Sequence, residues 1–229
     1  HTVRAAAAAM HPRPQVVSLN PETLEAVFDD LLTVARAVDR EQAGRAALVA
    51  LRERLYRAQD FVNPYDDGPV LAFFEWTDPI FVGGHWTPQL IERAGARHPL
   101  NPTVAVEGAG AAAGPQAGSR RAGKSVRVPA EVVSAVAPTR VVICPCGLDL
   151  RATRAAYEHD LRGKAWFEAL PAVRAARAGG DGLALVDGNQ FFNRPGPRLI
   201  DAFEWLVGWL HGRPESIPET FAWESVRGG

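Results

Sequence analysis

The chain has 229 residues, 25 basic against 26 acidic side chains and a formal net charge of −1. That is long enough to bury a substantial core, and too evenly charged to point to nucleic acid or an anionic membrane surface as a partner. Its two cysteines, Cys144 and Cys146, are one residue apart, a spacing that rules out a disulfide framework and leaves the redox compartment open.

The first residue is His1, and the alanine run at residues 5 to 9 is too short for a signal-peptide core or a membrane span. The chain is therefore read as a fragment or processed product, with its targeting information open. QVVSL (residues 15–19) has the character of a short strand. NPETLEAVFDDLLTVARAV opens a helix with Asn20 as N-cap, Pro21 in the first turn, and Leu24, Val27, Phe28, Leu31 and Val34 at helical spacing. DREQAGRAALVALRERLYRAQ follows as a second helix of about six turns, with Asp39 and Gln42 at capping-box spacing.

From Pro69 the pattern changes. PVLAFFEW is a continuous apolar run, the mark of a strand buried on both faces. TDPIFVGGHW reads as a loop, and TPQLIERAGA as a helix capped by Thr87, with Pro88 at its first position and Gly95 at its end. VPAEVVSAV is a short helix, TRVVICP a second buried strand, GLDLRATRAAYEHDL a helix, GLALVDG a third strand, and RPGPRLIDAFEWLVGWLHG the closing helix. Strands alternating with helices at this spacing predict an α/β fold, with parallel strands joined by helical crossovers.

Residues 103 to 124 are rich in Gly and Ala and read as a flexible surface insertion. GSRRAGKS within it matches the spacing of a phosphate loop, but no buried strand leads into it and VRVP is a poor helix start, so the match is set aside.

The chemically suggestive residues fall at the carboxyl ends of the three predicted strands, where open parallel sheets bind ligands. They are EWTDPIFVGGHW, with Glu75, Trp76, Asp78, His85 and Trp86; ICPCGLDL, with Cys146, Gly147 and Asp149; and DGNQFFNRPGP, with Asp187, Asn189, Phe191, Phe192, Asn193 and Arg194. Each has a plainer reading. Trp76 and Phe81 serve equally as packing, and His85, with no second ligand at metal spacing, as a hydrogen-bonded loop histidine. Cys146 lacks a nameable base to make it a nucleophile. Trp205, Leu206 and Trp209 are expected in the core, and Glu158 and Glu204 in solvent. Taken together, aromatic walls with few ionisable groups suit a large, partly apolar ligand better than bond breaking. Phe191 and Phe192 are expected to divide the work, Phe191 plugging the core and Phe192 walling the ligand.

The ordered motifs SLNPETLEAVFDDL, EWTDPIFVGGHWTPQLIERAGA, KSVRVPAEVVSAVAPTRVVICPCGLDL and VDGNQFFNRPGPRLIDAFEWLVGWLHG, over residues 15 to 212, resemble the cobalamin-binding branch of the iron/cobalamin periplasmic-binding-protein family. That resemblance implies a non-enzymatic ABC-importer substrate-binding protein with two α/β lobes joined by a long helix. Residues 1–38 become the remnant of an amino-terminal lobe, 39–60 the interlobe helix, 69–212 a Rossmann-like carboxyl-terminal lobe and 213–229 a tail. It also implies cobalamin or a related corrinoid as ligand, an ABC permease as partner and a periplasmic or other extracytoplasmic location. The implied ligand-binding residues are Trp76, His85, Trp86, Cys146, Gly147, Asp187, Asn189, Phe192, Asn193 and Arg194, with no catalytic or metal-ligating residue. Two readings stand beside it: a soluble enzyme using Cys146 or His85, and a degenerate family member that binds a partner protein.

Overall fold

The computed structural model describes residues 2–107, 114 and 119–228. After a short helix α1 (Thr2–Ala8), residues 9–23 are irregular, so QVVSL forms no strand. Helix α2 (Leu24–Ala37) is capped by Thr23, whose hydroxyl accepts from the Ala26 N–H at 3.1 Å, in place of the expected Asn20. Helix α3 (Glu41–Gln59) has Arg40 at its N-cap and no side-chain cap, so the anticipated capping box does not form.

Strands β1 (Leu71–Thr77) and β2 (Ile80–Val82) form an antiparallel hairpin, so the segment expected as a loop contributes a strand. Helix α4 (Trp86–Arg93) begins earlier than expected, with His85 rather than Thr87 at its N-cap, and the chain leaves it through Gly95 at φ 84°. Strands β3 (Val104–Ala105) and β4 (Arg120–Arg121) pair as a separate two-stranded ribbon. Residues 108–113 and 115–118, at the centre of the expected flexible insertion, lie outside the described residues. Strand β5 (Val126–Arg127) follows Lys124 and Ser125 directly, so no helix receives the phosphate-loop-like motif.

Beyond it come α5 (Ala130–Ala135), β6 (Arg140–Ile143), α6 (Leu150–Asp160), α7 (Ala165–Glu168), α8 (Pro171–Arg177), β7 (Leu183–Val186) and α9 (Leu199–Leu210). The stretch expected as a tail supplies β8 (Trp223–Ser225), which pairs antiparallel with β7, and Phe221, which joins the core.

The six-stranded sheet has the order β5-β2-β1-β6-β7-β8. Its centre, β1-β6-β7, is parallel, and the flanking strands are antiparallel. The central strands alternate between two cores because successive side chains leave a strand on opposite faces. Leu71, Phe73, Val142, Cys144, Ala184 and Val186 face α2, α3, α4 and α9. Ala72, Phe74, Val141, Ile143, Leu183 and Leu185 face the layer containing α6, α7 and α8. Burial on both faces is why these strands read as unbroken apolar runs.

Two polar ties hold the first two long helices to this lobe. Gln89 of α4 accepts from the Leu24 N–H at 2.9 Å, and Arg93 pairs with Glu25. Arg54 of α3 bonds Asp201 at 2.6 Å and Glu204 at 2.5 Å, so Glu204, expected in solvent, ties α3 to α9. Trp205 and Trp209 stack at 5.4 Å within the core, as expected.

Candidate ligand site at the strand ends

The parallel strands β1, β6 and β7 end on the same edge of the sheet, and their three loops are stitched together through the backbone. Past β6, the Cys144 N–H donates to the Phe74 carbonyl at 2.9 Å and the Cys146 N–H to that of Glu75 at 3.0 Å. The Gly147 N–H donates to the Gly188 carbonyl at 3.2 Å, and the Asn189 N–H to that of Leu148 at 3.0 Å. Gly188 is required for this approach, because a Cβ there would collide with the Pro145 carbonyl.

Asn193 sits at the centre of the junction. Its amide donates to the Cys144 carbonyl at 2.9 Å and the Gly188 carbonyl at 3.2 Å, and reaches the Cys144 Sγ at 3.7 Å. Burial, reinforced by the nearby Glu75, Asp187 and Cys146, pushes the Cys144 thiol well above its ordinary value, so it stays protonated and structural. The buried Asp187 carboxylate accepts from the N–H groups of Asn189 at 2.9 Å and Gln190 at 3.0 Å, folding the third loop over itself. Arg194 donates to the Asn189 carbonyl at 3.0 Å and its side-chain oxygen at 3.1 Å, and Arg198 to Gln190 at 2.5 Å.

The first loop is tied to the third by Trp86, whose Nε1–H donates to the Phe192 carbonyl at 2.7 Å. A connection not anticipated from the sequence also reaches this loop. Ser125 donates to the Glu75 carboxylate at 2.5 Å, and the His85 N–H donates to the Gly123 carbonyl at 2.8 Å. Gly84 permits this crossing, since a Cβ there would strike the backbone at Lys124 and Ser125. Nothing local in the sequence marks Ser125 as a partner of Glu75, because the two are 50 residues apart.

The expected ligand residues thus fall into two groups. Trp76, 43% exposed, and the half-buried His85, Trp86 and Cys146 remain at the surface of the joined loops, with Gly147 in the left-handed region at φ 82°. Asp187, Asn193, Asn189 and Arg194 spend their polar groups on one another and on the loop backbone. Phe192 corrects the expectation: it is fully buried, 4.9 Å from Phe73 and 5.9 Å from Trp205, and is core rather than ligand wall. Phe191 is buried too, against Phe221 at 4.0 Å.

The hydrogen bond expected for the His85 side chain is not found among the described residues; its ring stacks on Trp86 at 5.7 Å. Nor does any described residue bond the Cys146 thiol, and Asp149 is engaged as the N-cap of α6, accepting from Ala152 N–H at 2.7 Å. No group of three or more His, Cys, Asp or Glu side chains is placed to hold a metal ion among the described residues. A separate cleft of about 430 Å³ opens beside the β1–β2 turn, between Asp78, Arg127, Lys164 and Trp166.

No protein-family model and no curated protein matches the chain. Solved structures do match. A periplasmic heme binding protein from Pseudomonas aeruginosa is 23% identical with a TM-score of 0.62, over 94% of this chain and 70% of that one. The periplasmic heme-binding protein RhuT from Roseiflexus sp. RS-1 is 20% identical with a TM-score of 0.61, over 93% and 70%. The periplasmic vitamin B12 binding protein BtuF of Vibrio cholerae is 17% identical with a TM-score of 0.58, over 88% and 66%. The chain therefore has the α/β fold of periplasmic binding proteins, and spans between 56% and 70% of the length of such structures. No described helix is long and apolar enough to cross a membrane.

Proposed function

We propose that the chain is the larger part of a non-catalytic substrate-binding protein that takes up a flat metal tetrapyrrole, haem or a corrinoid, on the surface of its joined strand-end loops. In this reading residues 1–38 belong to a first lobe and α3 is the helix between lobes. The protein works outside the cytoplasm and delivers its cargo to an ABC permease.

The observation that carries the reading is the division of labour at the site. Asp187 and Asn193 are spent inside the loops, while Trp76 and the His85–Trp86 stack are left to meet a ligand. Such a surface offers ring faces, which suits an extended ring system. The shared fold with heme and vitamin B12 binding proteins supports the same class of cargo. The corrinoid expected from the sequence stands as one of two tetrapyrrole candidates.

The test is titration with ferric haem, aquocobalamin and a ferric hydroxamate while tryptophan fluorescence is followed, in the wild type and in Trp76→Ala. Saturable quenching by a tetrapyrrole, weakened in W76A, is expected. Quenching by the hydroxamate alone, or an unchanged affinity in W76A, overturns the assignment.

A further inference from the structure

The cleft beside the β1–β2 turn, of about 430 Å³, lies on the opposite face of the sheet from Trp76. Thr77 and Ile80 line it, and their strand neighbours Trp76 and Phe81 leave the hairpin on the other side. It is therefore separate from the surface of the joined strand-end loops. Its volume falls in the range of small-molecule sites, roughly 300–1,000 Å³.

The walls are of two kinds. Pro79, Ile80, Pro129 and Trp166 supply apolar surface, and the Trp166 indole is backed by the fully buried Phe167, edge-on at 5.5 Å. Asp78, Arg127 and Lys164 supply charge of both signs, and all three are exposed. None of these three side chains makes a hydrogen bond or ion pair with another described residue, so carboxylate and cations share one cleft without meeting. The nearby Asp160, which Lys164 reaches only through space, spends its oxygens on the Thr77 hydroxyl at 2.5 Å and on His159 at 2.6 Å. The small hollow beside β8 behaves differently: its arginines, Arg154, Arg162, Arg177 and Arg227, each pair with a carboxylate.

We infer that this cleft binds a small zwitterion, an α-amino acid with an apolar or aromatic side chain, at a site distinct from that of the tetrapyrrole. Opposite charges that line one concavity without pairing are both met by a molecule that carries both charges. The ligand carboxylate lies toward Lys164 and Arg127, its ammonium toward Asp78, and its side chain against Trp166 and Pro79. A ligand with a single charge leaves one of these walls unanswered.

The experiment is calorimetric titration of the protein with L-phenylalanine, 3-phenylpropionate and phenethylamine, the last two each lacking one charge. L-Phenylalanine is expected to bind one to one, about tenfold or more tighter than either analogue, the worth of one charge-assisted hydrogen bond. In the double variant Arg127→Met, Lys164→Met its advantage over phenethylamine should vanish, and in Asp78→Asn its advantage over 3-phenylpropionate. These charges are exposed and make no bonds to described residues, so the variants keep the fold. Trp166→Ala should weaken all three ligands and Trp76→Ala none. No binding, equal affinities for the three ligands, or affinities unmoved by the charge variants would overturn the site. Loss of L-phenylalanine in Trp76→Ala would place it at the strand-end loops and overturn the site as well. Tetrapyrrole titration reads the other surface, so failure here leaves the proposed function standing.

Discussion

The indole Nε1–H of Trp86 donates to the backbone carbonyl of Phe192 at 2.7 Å, joining the start of α4 to a loop 106 residues further along the chain. This bond fixes the ring on which His85 stacks and locks the first strand-end loop to the third. Trp86→Phe keeps a ring but removes the donor and leaves the carbonyl without this partner. A loss of about 1–2 kcal/mol in urea denaturation is expected, and an unchanged midpoint would show that the bond contributes nothing.

Phe192→Ala separates core from ligand wall. Phe192 is fully buried among Phe73, Trp205 and Phe221, so truncation should cost about 3–5 kcal/mol. The tetrapyrrole affinity of the protein that remains folded should change little. A mild loss of stability with a large loss of affinity would return the side chain to the ligand.

His85→Gly should raise stability by about 1 kcal/mol, because glycine relieves the strained conformation and the side chain makes no hydrogen bond to a described residue. The readout is a higher urea midpoint at constant slope. A lower midpoint would mean that the ring's stack on Trp86 outweighs the strain.

His98 sets a pH dependence. It is buried, its Nδ1–H donates to the Leu71 carbonyl at 2.8 Å, and burial pushes its pKa down to about 4, outweighing the Leu71 and Gly83 carbonyls that favour protonation. The folded state therefore holds the neutral ring. Its contribution is complete above the ordinary value of 6.5 and is lost as pH falls toward 4, where the unfolded chain binds the extra proton. The loss amounts to about 3 kcal/mol across that window. Denaturation at a series of pH values should show the slope in the wild type and a shallower one in His98→Gln; equal slopes would remove His98 as the cause.

Arg54 of α3 makes charge-assisted bonds to both Asp201 and Glu204 of α9, which raise its pKa, chiefly through Glu204. Arg54→Met should cost about 1–2 kcal/mol after allowance for partial exposure, and part of that loss should be recovered in the double variant with Glu204→Gln. Strict additivity would show that the two residues are not coupled.

How far the fold was legible in the sequence followed from where each segment's information lies. The three parallel strands are apolar runs because both faces are covered, a property written in consecutive residues. Helices α2 and α6 carry the spacing of one buried face, with Leu24, Val27, Phe28 and Ala35 inward in the first and Thr153 and Tyr157 in the second. Strands β2, β5 and β8, of three, two and three residues, are too short to carry a period and exist only because a neighbour offers its free edge. The N-cap of α2 moved to Thr23 for a similar reason, since Asn20, Thr23 and the residues between them all suit a helix start and docking on Gln89 chose between them.

At the site, the sequence by itself determined which loops meet and which residue types they carry, because strand order along the chain and helical crossovers leave little freedom in where those loops end. Only the tertiary structure decided how each side chain is used. Phe191 and Phe192, expected to part company, both turn inward because Phe221 receives the first and Phe73 with Trp205 and Phe221 the second. Asn193 and Arg194 look like ligand contacts in the sequence but satisfy the polar groups of closely packed loops, a demand that arises only once those loops are brought together. The strain at His85 is likewise invisible in the letters GGHW, for it is imposed by the segment at Gly123 to Ser125 crossing beside it.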